Sequence, residues 1–371
     1  MEDKKIVRIP SNKLLRAANI SGKNILIRFD FNVPIEQGKI EDDNRIIASL
    51  ETLNYVIKKN PKNIYLIAHL DRPGGRFVKS LAMLPIAKEL KKLLRLRHNI
   101  DKVKLGENRV LKSVYKLSPN IFLLENLRFE PGEEKNDQGF AKEIADIANI
   151  YIIDAFATMH RAHASTVAIV ELLPTYTGFL VEKEVNALLK IIHNPEHPYI
   201  FVIGGAKIED KMPLIEAVRQ KCDHVLVGGK VANEWIMRGH EQGEKVRLPV
   251  DGINKKGIIV PVNSATLKEG IFDIGPQTIM NYKKYISSSK TIVWNGSLGM
   301  AEEEKFAFAT NEIARFIAKQ HAEKVILGGD TAGVIDRLRL SKNFDFVSTG
   351  GSASTEFLAG KNLPGLEKLL K

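Results

Sequence analysis

The chain alternates short, almost unbroken apolar runs with longer stretches in which apolar residues recur every three or four positions. In the first half the runs cover residues 24–29, 64–68, 121–124 and 150–153 and are dominated by Ile, Leu, Val, Tyr and Phe. Strands covered on both faces carry this pattern, because neither face needs polar residues. Amphipathic segments at 84–96 and 140–148 predict helices between them. A second series follows at 199–203, 224–227, 291–294, 324–327 and 344–347. Between the two series, Val181, Val185, Leu188, Leu189 and Ile192 keep a helical spacing, so residues 181–193 predict a helix that Asn194 and Pro195 end. Strands alternating with helices predict an α/β fold with mainly parallel sheets, in two domains joined by that helix.

Composition narrows the class. With 371 residues, 44% hydrophobic and 27% charged, the chain is neither disordered nor a coiled coil, and it is too long for one comfortable core. Lys and Arg number 55 against 44 Asp and Glu, a net charge of +11 that suits an anionic partner without saying which kind. The single cysteine, Cys222, forms no disulfide within the chain and builds no zinc site, which suggests a reducing cytoplasm. No apolar stretch approaches the roughly 18–20 residues of a membrane span. No apolar segment follows the polar residues 1–5, so no leader is expected.

In open α/β sheets, ligands bind beyond the carboxyl ends of the strands. In the first half those positions hold Asp30 and Asn32 (RFDFNVP), then Arg45 (DDNRI), His69 and Arg72 (AHLDRP), and Asn126 and Arg128 (ENLRF). The fourth run is followed by Asp154, His160, Arg161 and His163 (DAFATMHRAHAST). One such arginine is as readily a surface salt bridge. Four after four strands point to a pocket for a small, multiply charged anion, since guanidinium forks match carboxylate and phosphate oxygens. HRAH would suit a metal pair, but no carboxylate or thiol cluster accompanies it. His160 reads as structural, His69 and His163 as anion contacts.

The second-half strand ends carry glycines instead: IGGAKIEDK, VGGKVAN, WNGSLGMAE, LGGDTAG and STGGSAST. One strand–Gly–Gly–helix turn is explained by tight turning alone. Five in one domain argue for a nucleotide or another phosphorylated ligand, held by backbone amides at helix starts. Lys207 and Lys211 are four apart; on a helix they share one face and can neutralise a phosphoryl group in transfer, and otherwise they are two solvated lysines. Asp330 follows Gly328 and Gly329, where a carboxylate either caps a helix or binds Mg²⁺ shared with nucleotide phosphates. A P-loop, a protein-kinase signature, a GxGxxG turn and a GxSxG elbow are all missing. The basic residues follow strands rather than an aromatic-studded surface, so no nucleic-acid partner is expected.

RFDFNVP, DDNRI, AHLDRP, LLENLRFEPGEEKND, DAFATMHRAHAST, GGAKIEDK, DIGP, VWNG, GGDT and STGG occur in this order over nearly the whole chain. In this the sequence resembles the phosphoglycerate kinase family. The resemblance implies two Rossmann-like domains joined by a helix and hinge: a triose-phosphate domain over 1–180, a connector over 181–194, a nucleotide domain over 195–355, and a tail over 356–371 returning to the first domain. It implies reversible phosphate transfer between 1,3-bisphosphoglycerate and ADP, giving 3-phosphoglycerate and MgATP, a transfer with a carboxyl group as acceptor. Asp30, Asn32, Arg45, His69, Arg72, Arg128, Arg161 and His163 would hold the glycerate. Lys207 and Lys211 would contact the nucleotide and the transferring group, with Arg45 reaching that group from the triose side. Gly205, Gly228, Asn295, Gly328, Gly329 and Thr331 would line the nucleotide, Glu302 its ribose, and Asp330 would hold Mg²⁺. The family default is a monomer.

The chain departs from the family at several places. Asp71, Ala157, Leu327 and Ser352 stand where glycines are usual, Ser297 replaces a proline, Lys230 stands in a glycine triplet, and the stretch 239–273 is short. Asp71 would repel an anionic substrate unless it pairs with an arginine. In-line transfer needs positioning and charge neutralisation rather than a strong base, and two pockets on two domains require closure, with bending near 181–195. A nicotinamide dehydrogenase would need a dinucleotide fingerprint that is missing. A nucleotide- or RNA-binding protein without catalysis would not need Arg45, Lys207, Lys211 and Asp330 together.

Overall fold

The computed structural model describes residues 8–240 and 242–370; residues 1–5, on which the expectation about a leader rests, lie outside the described residues. The chain divides into two compact units, one of residues 1–186 with 362–371 and the other of residues 187–361. The division falls inside the helix Phe179–His193, not at its start. Residues 356–361, assigned from the sequence to the tail, stay with the second unit. The reason is the helix Ser352–Leu358, which buries Ala353 and Phe357 and packs on the helix Ile208–Arg219 of the same unit.

The first unit is built on a seven-stranded sheet in the order Asp101–Val103, Val114–Ser118, Ile121–Leu123, Asn63–Ile67, Asn24–Phe29, Ile150–Asp154, Thr175–Thr177. Asn24–Phe29, fifth in this order, lies inside the sheet and parallel to both neighbours, with Ile27 level with Leu66 on one side and Ile152 on the other. All three residues are fully buried, which is why these strands read as unbroken apolar runs. The two outer strands at 101–103 and 114–118 are antiparallel. Asp101–Val103 escapes the apolar pattern because Asp101 and Lys102 are exposed on the edge. The predicted helices at 84–96 and 140–148 are found as Leu84–Leu93 and Gln138–Ala145. The helix Pro364–Leu370 closes this unit: Leu366 and Leu369 are buried, the Gly365 amide donates to the Met159 carbonyl at 3.0 Å, and Lys368 pairs with Glu171.

The second unit has a six-stranded sheet, wholly parallel, in the order Val246–Arg247, His224–Val227, Tyr199–Ile203, Thr291–Asn295, Glu323–Leu327, Phe346–Val347. Ile200, Val202, Leu226, Ile292, Trp294 and Ile326 form its core. A small antiparallel sheet of Asp251–Asn254, Ile259–Pro261 and Ile271–Ile274 occupies the stretch 239–273. Its short strands were below the resolution of an apolar-run pattern. In each main sheet the chain order reverses beside a central strand, Asn24–Phe29 in one and Tyr199–Ile203 in the other. Crevices open beyond the carboxyl ends of the strands at such points.

Candidate active site

The first unit gathers its charged residues at the carboxyl end of the central strand. Asp30, just past Phe29 and buried, accepts from Arg45 Nη1 at 2.5 Å and from the Asn32 amide at 3.1 Å. Arg45 stands in the first turn of the helix Asn44–Lys58, so this pair ties the helix to the strand. The Asn32 carboxamide oxygen in turn accepts from the Asp71 amide at 2.8 Å. Arg128, nearly buried, donates through Nη1 to the Asp71 carbonyl at 2.7 Å. The peptide groups of Asp71 therefore join two of the proposed glycerate contacts. Asp71 has φ of 50°, a left-handed conformation that glycine adopts most cheaply. Its exposed carboxylate makes no ion pair with an arginine among the described residues.

Asn126 fixes the loops around this cluster. Fully buried, it accepts from the Leu70 and Arg128 amides at 3.1 Å each and donates to the Leu70 carbonyl at 2.7 Å. His69 and Arg128 are thereby held on neighbouring loops. Burial pushes the His69 imidazole well below its usual pKa, and the charges of Arg28, Arg128 and Arg45 and the neighbouring His163 push it further. His163 falls to about 3, through burial first and then Arg128, Arg28 and Arg161. Its Nδ1 lies 3.8 Å from Glu133 Oε1, but a neutral ring makes this no ion pair at neutral pH. These reciprocal effects place Arg45, Arg128, Arg161, His69 and His163 in one electropositive cluster. Arg161 donates through Nε to His160 at 3.0 Å. Arg72 is exposed, and no contact among the described residues draws it in.

Sequence reasoning missed Arg28, Glu133 and Ser165, which lie behind the cluster. Arg28 is fully buried within the central strand and donates to His69 Nδ1 at 3.0 Å, to Ser165 Oγ at 3.1 Å and to the Phe29 carbonyl. The Ser165 hydroxyl donates to Glu133 Oε1 at 2.6 Å, and its amide to Oε2 at 3.0 Å. Burial raises the proton affinity of Glu133, with Arg28 and Ser165 opposing. An arginine interrupting an otherwise apolar strand, NILIRF, was the available signal.

In the second unit, Lys211 is the centre. It lies in the first turn of the helix Ile208–Arg219 and donates through Nζ to Asn295 Oδ1 at 2.5 Å. The Asn295 carboxamide nitrogen donates to the Leu327 carbonyl at 2.9 Å, which fixes the amide the right way round for the lysine. Burial lowers the Lys211 pKa, and the nearby Asp330 and Asp210 raise it. Lys207 does not share the helical face with Lys211: it is the N-cap, in an extended conformation with φ of −131°, because the helix begins only at Ile208.

The glycines serve packing. Gly296 has φ of 90°, and a Cβ there would lie 2.3 Å from the Gly204 carbonyl oxygen. The Gly205 amide donates to the Ser297 carbonyl at 3.0 Å, and Gly228 faces Leu298 so closely that a Cβ would meet it at 2.6 Å. The loops after three strands thus interlock. Thr331 is buried, and its hydroxyl accepts from the Gly296 amide at 2.7 Å, so this hydroxyl holds a loop rather than facing solvent. Gly328 caps the helix Gly329–Arg337, whose first turn carries Asp330 exposed beside Lys211. Glu302 is exposed and makes no side-chain contact among the described residues.

A group of three or more His, Cys, Asp or Glu able to cage a metal is not found among the described residues. A lone Asp330 beside helix-start amides fits Mg²⁺ all the same, because that ion keeps few protein ligands and is held mainly by substrate phosphates.

Comparison with known proteins follows the same lines. The sequence model of the phosphoglycerate kinase family matches residues 15–242 and 232–361. The phosphoglycerate kinase of Pseudothermotoga lettingae is 39% identical over 389 residues, covering 96% of this chain and 98% of the relative. That of Finegoldia magna is 39% identical over 390 residues, with the same coverage of 96% and 98%. Among solved structures, phosphoglycerate kinase from Coxiella burnetii superposes with a TM-score of 0.80 at 33% identity, covering 96% of this chain and 98% of that one. The Pyrococcus horikoshii enzyme gives 0.81 at 29% identity, with coverage of 96% and 98%.

The depressed pKa of His163 has a consequence for stability. The unfolded imidazole takes up its proton near about 6.5, whereas the folded one refuses it until about 3. The contribution of this neutral ring is therefore complete above the unfolded value and drains away as pH falls towards the folded one. His163→Gln should lose stability less steeply than the parent between about pH 7 and pH 5, read as the urea midpoint at each pH. Equal slopes would refute the assignment.

Proposed function

This chain belongs to the phosphoglycerate kinase family, and from that premise we propose how its own residues carry out the family's reaction. The enzyme transfers a phosphoryl group reversibly between 1,3-bisphosphoglycerate with ADP and 3-phosphoglycerate with ATP. In the glycolytic direction a terminal ADP oxygen bonds to phosphorus as the acyl phosphate P–O bond breaks, releasing the carboxylate of 3-phosphoglycerate. The leaving carboxylate is stable, so no strong base is called for.

The observation that carries the site assignment is the electropositive cluster around His69, whose protonation is depressed by burial and then by the charges of Arg28, Arg128 and Arg45. Asp30, Asn32, Arg45, His69, Arg72, Arg128, Arg161 and His163 hold the glycerate phosphate and carboxylate. Arg45 is freed from Asp30 to meet the phosphoryl group. In the second unit Gly205, Lys207, Gly228, Asn295, Glu302, Gly328, Gly329 and Thr331 line the nucleotide, the last two through amides of the first helical turn. Lys211, tethered by Asn295, neutralises equatorial oxygens of the transferring group. Asp330 would hold a Mg²⁺ ion, which supplies charge neutralisation at the nucleotide phosphates.

The two sets of residues belong to separate compact units, so in-line transfer requires closure by bending near residues 181–195, which also excludes water. No helix among the described residues is long and apolar enough to cross a membrane. The single cysteine, unable to form a disulfide within the chain, supports a reducing cytoplasm as the compartment, and the family default supports a monomer.

Three measurements check this account. In a coupled assay with 3-phosphoglycerate, Mg²⁺ and ATP, Lys211→Ala should lower kcat by about 10²–10³; near-normal turnover refutes its role. X-ray scattering should show a smaller radius with both substrates bound than with neither, and an unchanged radius counts against closure. Asp71→Gly should lower the KM for 3-phosphoglycerate about two- to fivefold at low ionic strength, an effect that fades as salt is added. A raised KM would show that the carboxylate is not simply repelling substrate.

A further inference from the structure

Arg28 is fully buried, so its guanidinium does not reach a dissolved anion itself. Among the described residues its hydrogen bond into the cluster runs from Nη2 to His69 Nδ1, at 3.0 Å. A guanidinium has donors and no acceptor. Nδ1 must therefore accept, and the ring proton must reside on Nε2. We infer that Arg28 is a positioning residue that holds His69 as the neutral Nε2–H tautomer, so that the ring presents a hydrogen-bond donor to the oxygens of the glycerate substrate. This rests on the reading of His69 as a glycerate contact.

Three features make the hold firm. Arg28 is anchored at its other nitrogens by Ser165 Oγ at 3.1 Å and by the Phe29 carbonyl. Ser165 is anchored in turn by both oxygens of the buried Glu133, at 2.6 and 3.0 Å. The ring is also surrounded by the guanidinium groups of Arg28, Arg128 and Arg45, which oppose a second proton. The opposite tautomer would turn a lone pair towards anionic oxygens and lose a hydrogen bond. A neutral donor also keeps the pocket unchanged across the pH range where a free histidine titrates.

The test uses the full chain labelled with ¹⁵N at histidine, with the His69 ring signals identified by their loss in His69→Gln. The expected result is a single Nε2-protonated ring that does not titrate between about pH 5 and pH 8, and whose Nε2 signal moves when 3-phosphoglycerate is added. An Nδ1-protonated ring, a mixture, or an imidazolium at neutral pH overturns the proposal whatever the substrate does. A fixed Nε2–H ring unmoved by saturating 3-phosphoglycerate refutes the glycerate contact, and with it the role given to Arg28, while the tautomer itself stands. Arg28→Lys should let the tautomers mix and raise the KM for 3-phosphoglycerate about tenfold with kcat within about twofold. A fall in kcat at unchanged KM overturns the proposal; if this variant does not fold, the spectrum of the parent chain decides.

Discussion

A guanidinium at the centre of a sheet is the constraint on which the first unit depends. Desolvating such a charge costs several kcal/mol unless its donors are met. Arg28 meets this with a histidine, a serine and its own neighbour's carbonyl. The partners come from parts of the chain distant in sequence, so the turn bearing Ser165, the helix bearing Glu133 and the loop bearing His69 are drawn together around it. The same buried charge raises the local potential for an anion and forbids extra protons on the two histidines. Stability and electrostatics are here one arrangement rather than two.

The second unit meets a different demand, which is to bring backbone close to backbone. Loops after three parallel strands interlock through Gly204, Gly228 and Gly296, with contacts that a single methyl group would break. On this platform Asn295 holds Lys211 beside the helix that bears Asp330. Lys230, standing in an altered glycine triplet, makes a 3.7 Å ion pair with Glu234 one turn along its own helix and leaves the interlocked loops undisturbed.

Much of this was legible in the sequence. Strands buried on both faces, such as 24–29, 199–203 and 224–227, announced themselves with the right bounds. Residue types after the strands pointed to an anion pocket and a phosphate pocket. What could not be read was pairing across the chain: Arg28 and Ser165 lie 137 positions apart, and nothing local links them. Edge strands such as Asp101–Val103 were lost because half-exposed residues need no apolar run. Lys207 misled because spacing of four implies a shared face only where both residues are inside the helix, and Gly205 delays the helix start to Ile208.

The helix Pro364–Leu370 docks on a unit whose other residues precede position 187. During synthesis, the hollow that Leu366 and Leu369 fill must wait, empty, while the ribosome spins out the entire intervening stretch. The second unit, contiguous over residues 187–361, faces no such delay. The earlier-made unit is therefore completed only by residues synthesised after the whole of 187–361.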